Sequence, residues 1–500
     1  MTELQQDDNA RRIAQVNDLL KLPAETEWAE FKHNNIDPER MGRTISALSN
    51  SARLTDQAFA YMVWGIEDGT RKIVGTSFVP VVARHSGTLG QPLELWLRNQ
   101  IKPDTNIEFF TVKYPGKRVV LLQIPAATTV PTKFGNIAYI RLGSATPKLS
   151  DYPEKEASLL SKLRPFAWER GIALGFVDGP DVLEFLDHAA YFRLSKTRAP
   201  DGNAAILEAL CNSGIIERDF GYHWNITNLG ALLFANQVSV FSGVGRKAVR
   251  LIQYEKSSRI STRLERDQAG GYASEFERLI ERIENLLPKN EYIGKALRQE
   301  SRVFPLVAIR EIVANALIHQ DLTITGAGPM IELFEDRMEV TNPGRPLIDT
   351  NRFIDMPPRS RNENIASLMR RMNICEERGS GIDKVISMVE LYQLPAPEFR
   401  ADSDNTKIIL YGPRPFRDMS QQERVRACYH HAALRFLTNQ KATNASLRER
   451  FGVHARNASM ISRVINDTVD VELIRPSEPW NARTGHYLPF WAQVRFLIAI

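Results

Sequence analysis

The chain has 500 residues, 43% of them hydrophobic and 25% charged, and a net charge of +5. At about 100–200 residues per domain this length fits roughly three to four globular domains. The composition is ordinary for soluble protein, with no internal repeat and no low-complexity tract. The three cysteines, Cys211, Cys375 and Cys428, are scattered and show no Cys-x-x-Cys spacing. That excludes a disulfide frame or a zinc site and fits thiols in a reducing compartment.

The N-terminus lacks a basic-then-apolar signal, and no apolar run reaches the roughly 18 residues of a membrane span. A cytoplasmic protein with no membrane partner is expected. The small net charge gives no case for nucleic acid, but its distribution does. Between Arg414 and Arg463 stand ten lysines and arginines against three acidic residues, an excess larger than that of the whole chain.

In chain order, residues 1–20 read as an N-terminal helix, with an amphipathic pattern over 9–22 that Pro23 ends. Residues 21–155 alternate strand-like runs (Phe59–Ile66, Arg118–Ile124, Ile137–Leu142) with turns, and one helix lies at Met41–Leu48. Residues 156–245 begin mostly helical over 156–185, with a break near Asp178-Gly-Pro180. They continue as helix Ala204–Ser213, strand Tyr222–Ile226 and an apolar run from Thr227. This stretch fits a small winged-helix unit or a plain helical connector. Residues 246–412 run through strand Val249–Tyr254, helix Ala273–Leu287, strands Met330–Phe334 and Met338–Thr341, and helix Gly381–Leu391. After the Pro/Gly-rich break at Tyr411–Pro415, residues 413–500 form helices and a strand. The expected class is α+β and multidomain.

The chemistry concentrates in Arg310–Asp321, where Glu311 and Asn315 are four apart in a run of helix formers. Residues i and i+4 share one helix face, so a carboxylate and a carboxamide aim at one point. The pair suits a magnesium ion held by the amide oxygen, with the carboxylate polarising a water. On its own it also fits a solvated amphipathic face. Downstream, Arg337–Thr341 leads into Asn342-Pro343-Gly344, and Gly379-Ser380-Gly381 opens a helix. Glycines at a helix start allow close approach of an anion to unpaired N–H groups.

This order resembles the ATP-binding fold of DNA gyrase B, MutL and the histidine kinases, and more closely its divergent RecG C-terminal-like branch of transcriptional regulators. The motifs are Arg310-Glu311, Asn315-Ala316, His319, Asp321, Asp336-Arg337, Glu339, Asn342-Pro343-Gly344 and Gly379-Ser380-Gly381-Ile382. The resemblance implies a two-layer α/β sandwich over residues 246–412 that takes ATP and Mg²⁺. It makes Glu311 the general base of a weak ATPase and Asn315 the magnesium ligand. Asn342 and Gly344 stand at the base-reading turn, and Gly379, Ser380 and Gly381 at the phosphates. His319 and Asp321 are either nucleotide sensors or structural. Asn342 replaces the carboxylate of the wider superfamily and the glycine lid is short, so nucleotide binding is expected ahead of rapid hydrolysis. Relatives of this kind dimerise, which implies a homo-oligomer.

A second cluster, Glu25-Thr-Glu27-Trp-Ala-Glu30-Phe31-Lys32, precedes Ile45–Asn50, Tyr61–Ile66, Glu67-Asp68-Gly69 and Tyr139-Ile-Arg-Leu-Gly143-Ser144. In this order it resembles the Schlafen-type Alba-like domain. The resemblance implies nucleic-acid binding, with Lys32 as a contact. Alternatively, it implies a metal-dependent nuclease in which Glu25, Glu30 and Asp68 hold Mg²⁺ or Mn²⁺.

The basic segment reads as helix, turn at Gly452, helix. Arg448, Arg456, Asn457, Ser459 and Arg463 are placed to contact DNA, in preference to RNA, in a C-terminal winged helix. A dimerisation module with a solvated basic face is the other reading. The functional expectation is an ATP-binding, nucleic-acid-binding regulator, of transcription or of phage defence. The alternative is a Schlafen-type nuclease controlled by ATP.

Overall fold

The computed structural model describes residues 3–22, 26–34, 36–67, 70–84, 91–163, 167–293, 298–357, 359–375, 381–477 and 485–492. Its architecture is mixed α+β, with several separate sheets. The chain divides into two compact units. One comprises residues 1–167, 174–182 and 216–226; the other holds 168–173, 183–215 and 227–500.

The first unit is built on a four-stranded sheet in the order Ala29–Lys32, Phe59–Trp64, Lys117–Pro125, Glu108–Tyr114. The first pair is parallel and the other two are antiparallel. Phe59–Trp64 is almost wholly buried, as an interior strand covered on both faces must be, and its aromatic and β-branched residues suit that place.

Helix Pro38–Leu54 packs beside it. The Asp37 side chain accepts from Arg40 N and Pro38 takes the first turn, so the helix starts earlier than its apolar run. Its Ser-Asn-Ser stretch holds a neighbouring loop. Asn50 Nδ2 donates to Thr132 O (2.9 Å) and Tyr139 O (2.8 Å), and Tyr139 N and Arg141 N donate to Ser46 Oγ and Ser51 Oγ.

Those bonds correct the strand expected over Ile137–Leu142. Only Ile137–Ala138 is a strand, because the backbone beyond it is bonded to helix side chains. A second correction falls on 156–185. Residues Ile172–Val177 form a strand, edging a three-stranded sheet with Trp224–Thr227 and Ile216–Arg218. The run Ile-Ala-Leu-Gly-Phe-Val has the β-prone composition, and Phe176 N donates to Asn225 Oδ1 (3.1 Å).

The second unit centres on a six-stranded sheet in the order Thr262–Asp267, Arg250–Tyr254, Met330–Leu333, Arg337–Pro343, Asn405–Tyr411, Glu398–Ala401. Arg250–Tyr254 and Met330–Leu333 are parallel, and every other neighbouring pair is antiparallel. Helix Leu306–His319 packs on strand Arg337–Pro343 and against helices Tyr272–Leu286 and Gly381–Leu391.

After the sheet come helices Gln421–Leu437, Asn444–Phe451 and Ala458–Asp470, then the hairpin Ile474–Pro476 with Tyr487–Pro489. Leu447, Phe451, Ile461, Val464, Ile465 and Ile474 form part of one core. Gly452, with φ +63°, ends Asn444–Phe451 in the left-handed conformation that glycine adopts without strain.

Candidate functional site

Helix Leu306–His319 is apolar almost all round, and Ala308, Ile309, Ile312, Val313, Ala314, Ala316, Leu317 and Ile318 are buried. A helix of that composition belongs inside the protein, so its few polar residues need a purpose. Glu311, Asn315 and His319 follow one another at intervals of four and therefore share a face. All three line one cavity of about 610 Å³. Asn342, Thr406 and Gly381 line it too, so residues from four separate segments of the sequence meet there. The volume lies within the range of roughly 300–1,000 Å³ typical of small-ligand sites.

The geometry around Glu311 is tight. Asn315 Nδ2 donates to Glu311 Oε1 (3.1 Å), which turns the carboxamide oxygen away from the carboxylate. Gly381 abuts the same carboxylate, and a Cβ there would stand 1.8 Å from Oε1. On the sheet, Asn342 and Thr406 are directly opposed across antiparallel strands. Asn342 is buried, with Nδ2 3.4 Å from Pro343 O, and Thr406 Oγ1 donates to Gly344 O (2.7 Å). Leu347, Ile348, Phe353, Met356 and Ile408 supply an apolar wall.

Gly344 and Asp321 do not line the cavity; they form its backing. Gly344 has φ +100°, and a Cβ on it would lie 2.6 Å from Asp321 Cβ. Asp321 N donates to Pro343 O (2.7 Å), and the Asp321 carboxylate accepts from Thr323 N and Oγ1. Burial would raise that carboxyl, but the Thr323 bonds and nearby Arg361 hold it below the usual range. Burial lowers the His319 pKa, against a backbone hydrogen bond at Arg359 and with help from the Arg361 charge, which keeps the imidazole neutral at pH 7. The Cys375 thiol is pushed up to about 11 by burial and by Glu311. Gly379 and Ser380 lie outside the described residues.

Several cavity residues were not singled out in the sequence: Thr406, Arg359, Arg361, Arg370 and Cys375. The polar run Arg359-Ser-Arg-Asn-Glu-Asn364 before helix Glu363–Arg371 was the available signal. Within it, Asn362 Nδ2 donates to Ile318 O and Gln320 O (both 2.8 Å), tying this segment to the C-terminal end of the Glu311 helix. The motif residues Asp336, Arg337 and Glu339 serve the sheet. Arg337 bonds both acids, and Arg259 bridges Glu332 and Glu339, which face each other across two strands.

In the first unit, Glu30 is held between two cations. Its Oε1 is 2.5 Å from Lys32 Nζ and its Oε2 is 2.5 Å from Arg141 Nη2. Both carboxylate oxygens are engaged, and Lys32 spends its charge on Glu30. Glu25 and Asp68 lie outside the described residues. In the basic segment, Arg456, Asn457, Ser459 and Arg463 are exposed. Arg448 is half-buried, with Nε donating to Asn444 Oδ1 (3.0 Å).

Residues 25–150 match the family model described as Schlafen, AlbA_2. Residues 326–410 match the model for the ATP-dependent DNA helicase recG C-terminal region. Both matches fall in regions where the sequence motifs carry the corresponding resemblance. The Glu311 helix precedes the second match, and most of the other cavity residues fall inside it. No curated protein matches the chain. Among solved structures, the DIP2311 protein from Corynebacterium diphtheriae is 16% identical, over 96% of this chain and 97% of that one, with a TM-score of 0.42. Among the described residues no helix is long and apolar enough to cross a membrane.

Proposed function

We propose that the cavity beside Glu311 binds ATP with Mg²⁺, and that the chain is a nucleotide-gated, nucleic-acid-binding regulatory protein. The observation that carries this reading is the convergence of Glu311, Asn315, Asn342 and Gly381 on one cavity, next to a region that matches an ATPase-related family.

The residues fit the ligand. Asn315 has a carboxamide oxygen for a magnesium ion, since its nitrogen is given to Glu311. Magnesium takes hard oxygen donors, and bound here it would neutralise phosphate charge. Glu311 is the one acid of the helix stripe and would orient water beside the phosphates. Asn342 and Thr406 offer amide and hydroxyl groups to a base edge. Gly381 opens a helix, where N–H groups favour anions, and its missing side chain is what lets Glu311 lie against that end. A two-layer sandwich for residues 246–412 is part of the same reading.

The C-terminal helices and hairpin form a winged helix, with Arg456, Asn457, Ser459 and Arg463 turned to DNA. Transcriptional control and phage defence both suit such a protein, and the nucleotide would act through dimerisation. A nuclease centred on Glu30 is the weaker reading, because both of its oxygens are spent on Lys32 and Arg141. Cleavage of DNA or RNA with Mn²⁺ by the wild type, lost in Glu30→Ala, would reinstate it.

Titration calorimetry with MgATP tests the main reading. Wild type should bind, and Asn315→Ala should bind at least about tenfold more weakly, the worth of one contact to a charged partner. Equal heats from the two proteins would end the ATP claim.

A further inference from the structure

The cavity carries more positive charge than its nucleotide motifs account for. Its charged lining residues are Arg359, Arg361, Arg370, Glu311 and Glu363, with His319 as the remaining titratable nitrogen. Glu363, Ser367 and Arg370 fall at spacings of four and three on helix Glu363–Arg371, so one face of that helix looks into the cavity.

Arg361 donates to Arg345 O (2.8 Å) and stands 3.8 Å from Asp321, a loose pairing. Arg359 and Arg370 have no carboxylate partner among the described residues. The three guanidiniums outnumber the two carboxylates of the lining, Glu311 and Glu363, and this excess favours an anion in the cavity. Guanidinium is also the side chain that grips phosphate oxygens two at a time.

The backbone amides of this helix start are not free to do the work instead. Glu169, itself buried, accepts from Ile365 N (2.7 Å), Asn364 Nδ2 (2.9 Å) and Asn364 N (3.3 Å). An anion entering from the cavity therefore meets side chains.

Resting on the nucleotide reading of this cavity, we propose that Arg359, Arg361 and Arg370 bind the outer phosphates of a nucleoside triphosphate. Phosphate number, more than the base, then sets affinity. These arginines take over the neutralisation that a longer glycine lid would provide with backbone amides.

The test is calorimetry with MgATP, MgADP, AMP and adenosine, on wild type and on Arg359→Ala, Arg361→Ala and Arg370→Ala. Wild-type affinity should fall in that order of ligands. Each substitution should weaken MgATP binding about tenfold or more, as for loss of a charge-assisted hydrogen bond, while adenosine affinity changes less than about twofold. All three residues are exposed, so circular dichroism and the thermal midpoint should match wild type.

An unchanged ratio of ATP to adenosine affinity in all three variants overturns the proposal. So does a wild type that binds adenosine as tightly as MgATP, although that result leaves the nucleotide site standing. A wild type that binds none of the four removes the nucleotide site itself, and this proposal with it.

Discussion

Gly381 shows how little freedom the cavity leaves its residues. A Cβ there would stand 1.8 Å from Glu311 Oε1, so any other residue would force the Glu311 carboxylate out of its present position. The sequence marks this glycine through its place at a helix start, but the contact that requires it is made by a helix some 70 residues earlier in the chain. Asn315 and Glu311 were legible for the opposite reason: a spacing of four on one helix is local geometry. The polar run from Arg359 marks Arg359 and Arg361 only as a polar segment; that they and Arg370 surround one volume is set by the tertiary fold. Glu30 was legible as part of an acidic motif, but its partner Arg141 is 111 residues away, which altered its meaning.

His430 supplies a residue-scale prediction. Its imidazole is buried, with no hydrogen-bond partner for Nδ1 among the described residues, and burial together with Arg426 and Arg450 lowers its pKa to about 3. The unfolded chain takes up that proton at an ordinary pKa of about 6.5. The stability that comes from keeping His430 neutral is therefore fully present above that value, and is lost as pH falls toward 3. Urea denaturation across this window should show a shallower loss in His430→Leu than in wild type; parallel curves would contradict the assignment.

At the scale of elements, strong local signals survived and weak ones did not. Helix Gly381–Leu391 has the bounds its sequence predicts. Ile172–Val177 is a strand within a stretch that reads as helical, because its apolar run lacks the alternation of a half-buried strand and periodicity alone does not separate such a run from a helix.

Helix Gly381–Leu391 also spans two chemistries. Its first residue abuts Glu311, and near its other end Glu390 meets the C-terminal helices. The Glu390 carboxylate is 3.1 Å from His431 Nδ1, and His431 Nε2 is 2.9 Å from Ser446 Oγ. Arg450, buried with its charge, lies 3.7 Å from Glu390. Ser446 is held as the third residue of a capping box with Thr443, so this chain of bonds fixes the helix ahead of the Gly452 turn.

Removing one partner of a buried pair costs about 3–5 kcal/mol, whereas replacing both with apolar residues costs far less. Glu390→Gln should therefore lower unfolding stability by about 3 kcal/mol, and adding Arg450→Met should recover most of it. Additive losses in the double variant would show that the pair does not act as a unit.

At the scale of the whole molecule, three chemically distinct regions share one chain: an AlbA_2-type domain, the cavity of the second unit and a basic C-terminal segment. Sequence order alone revealed the two matched domains, because both are carried by dense local motifs. The division into two compact units was not legible. Residues 174–182 and 216–226 join the first unit from far along the chain, with Phe220 set against Trp28 and Tyr61, contacts that no local pattern announces.

A regulator needs its nucleotide and nucleic-acid surfaces to be linked, and linkage is reciprocal: a nucleotide that changes DNA affinity must have its own affinity changed by DNA. The direct measurement is the affinity of a labelled DNA duplex by fluorescence anisotropy, with and without MgATP, for wild type and Asn315→Ala at one fixed salt concentration. The expected result is a shift in DNA affinity of about fivefold or more on adding MgATP to wild type, and none in Asn315→Ala. Equal DNA affinity with and without MgATP in wild type would contradict nucleotide gating.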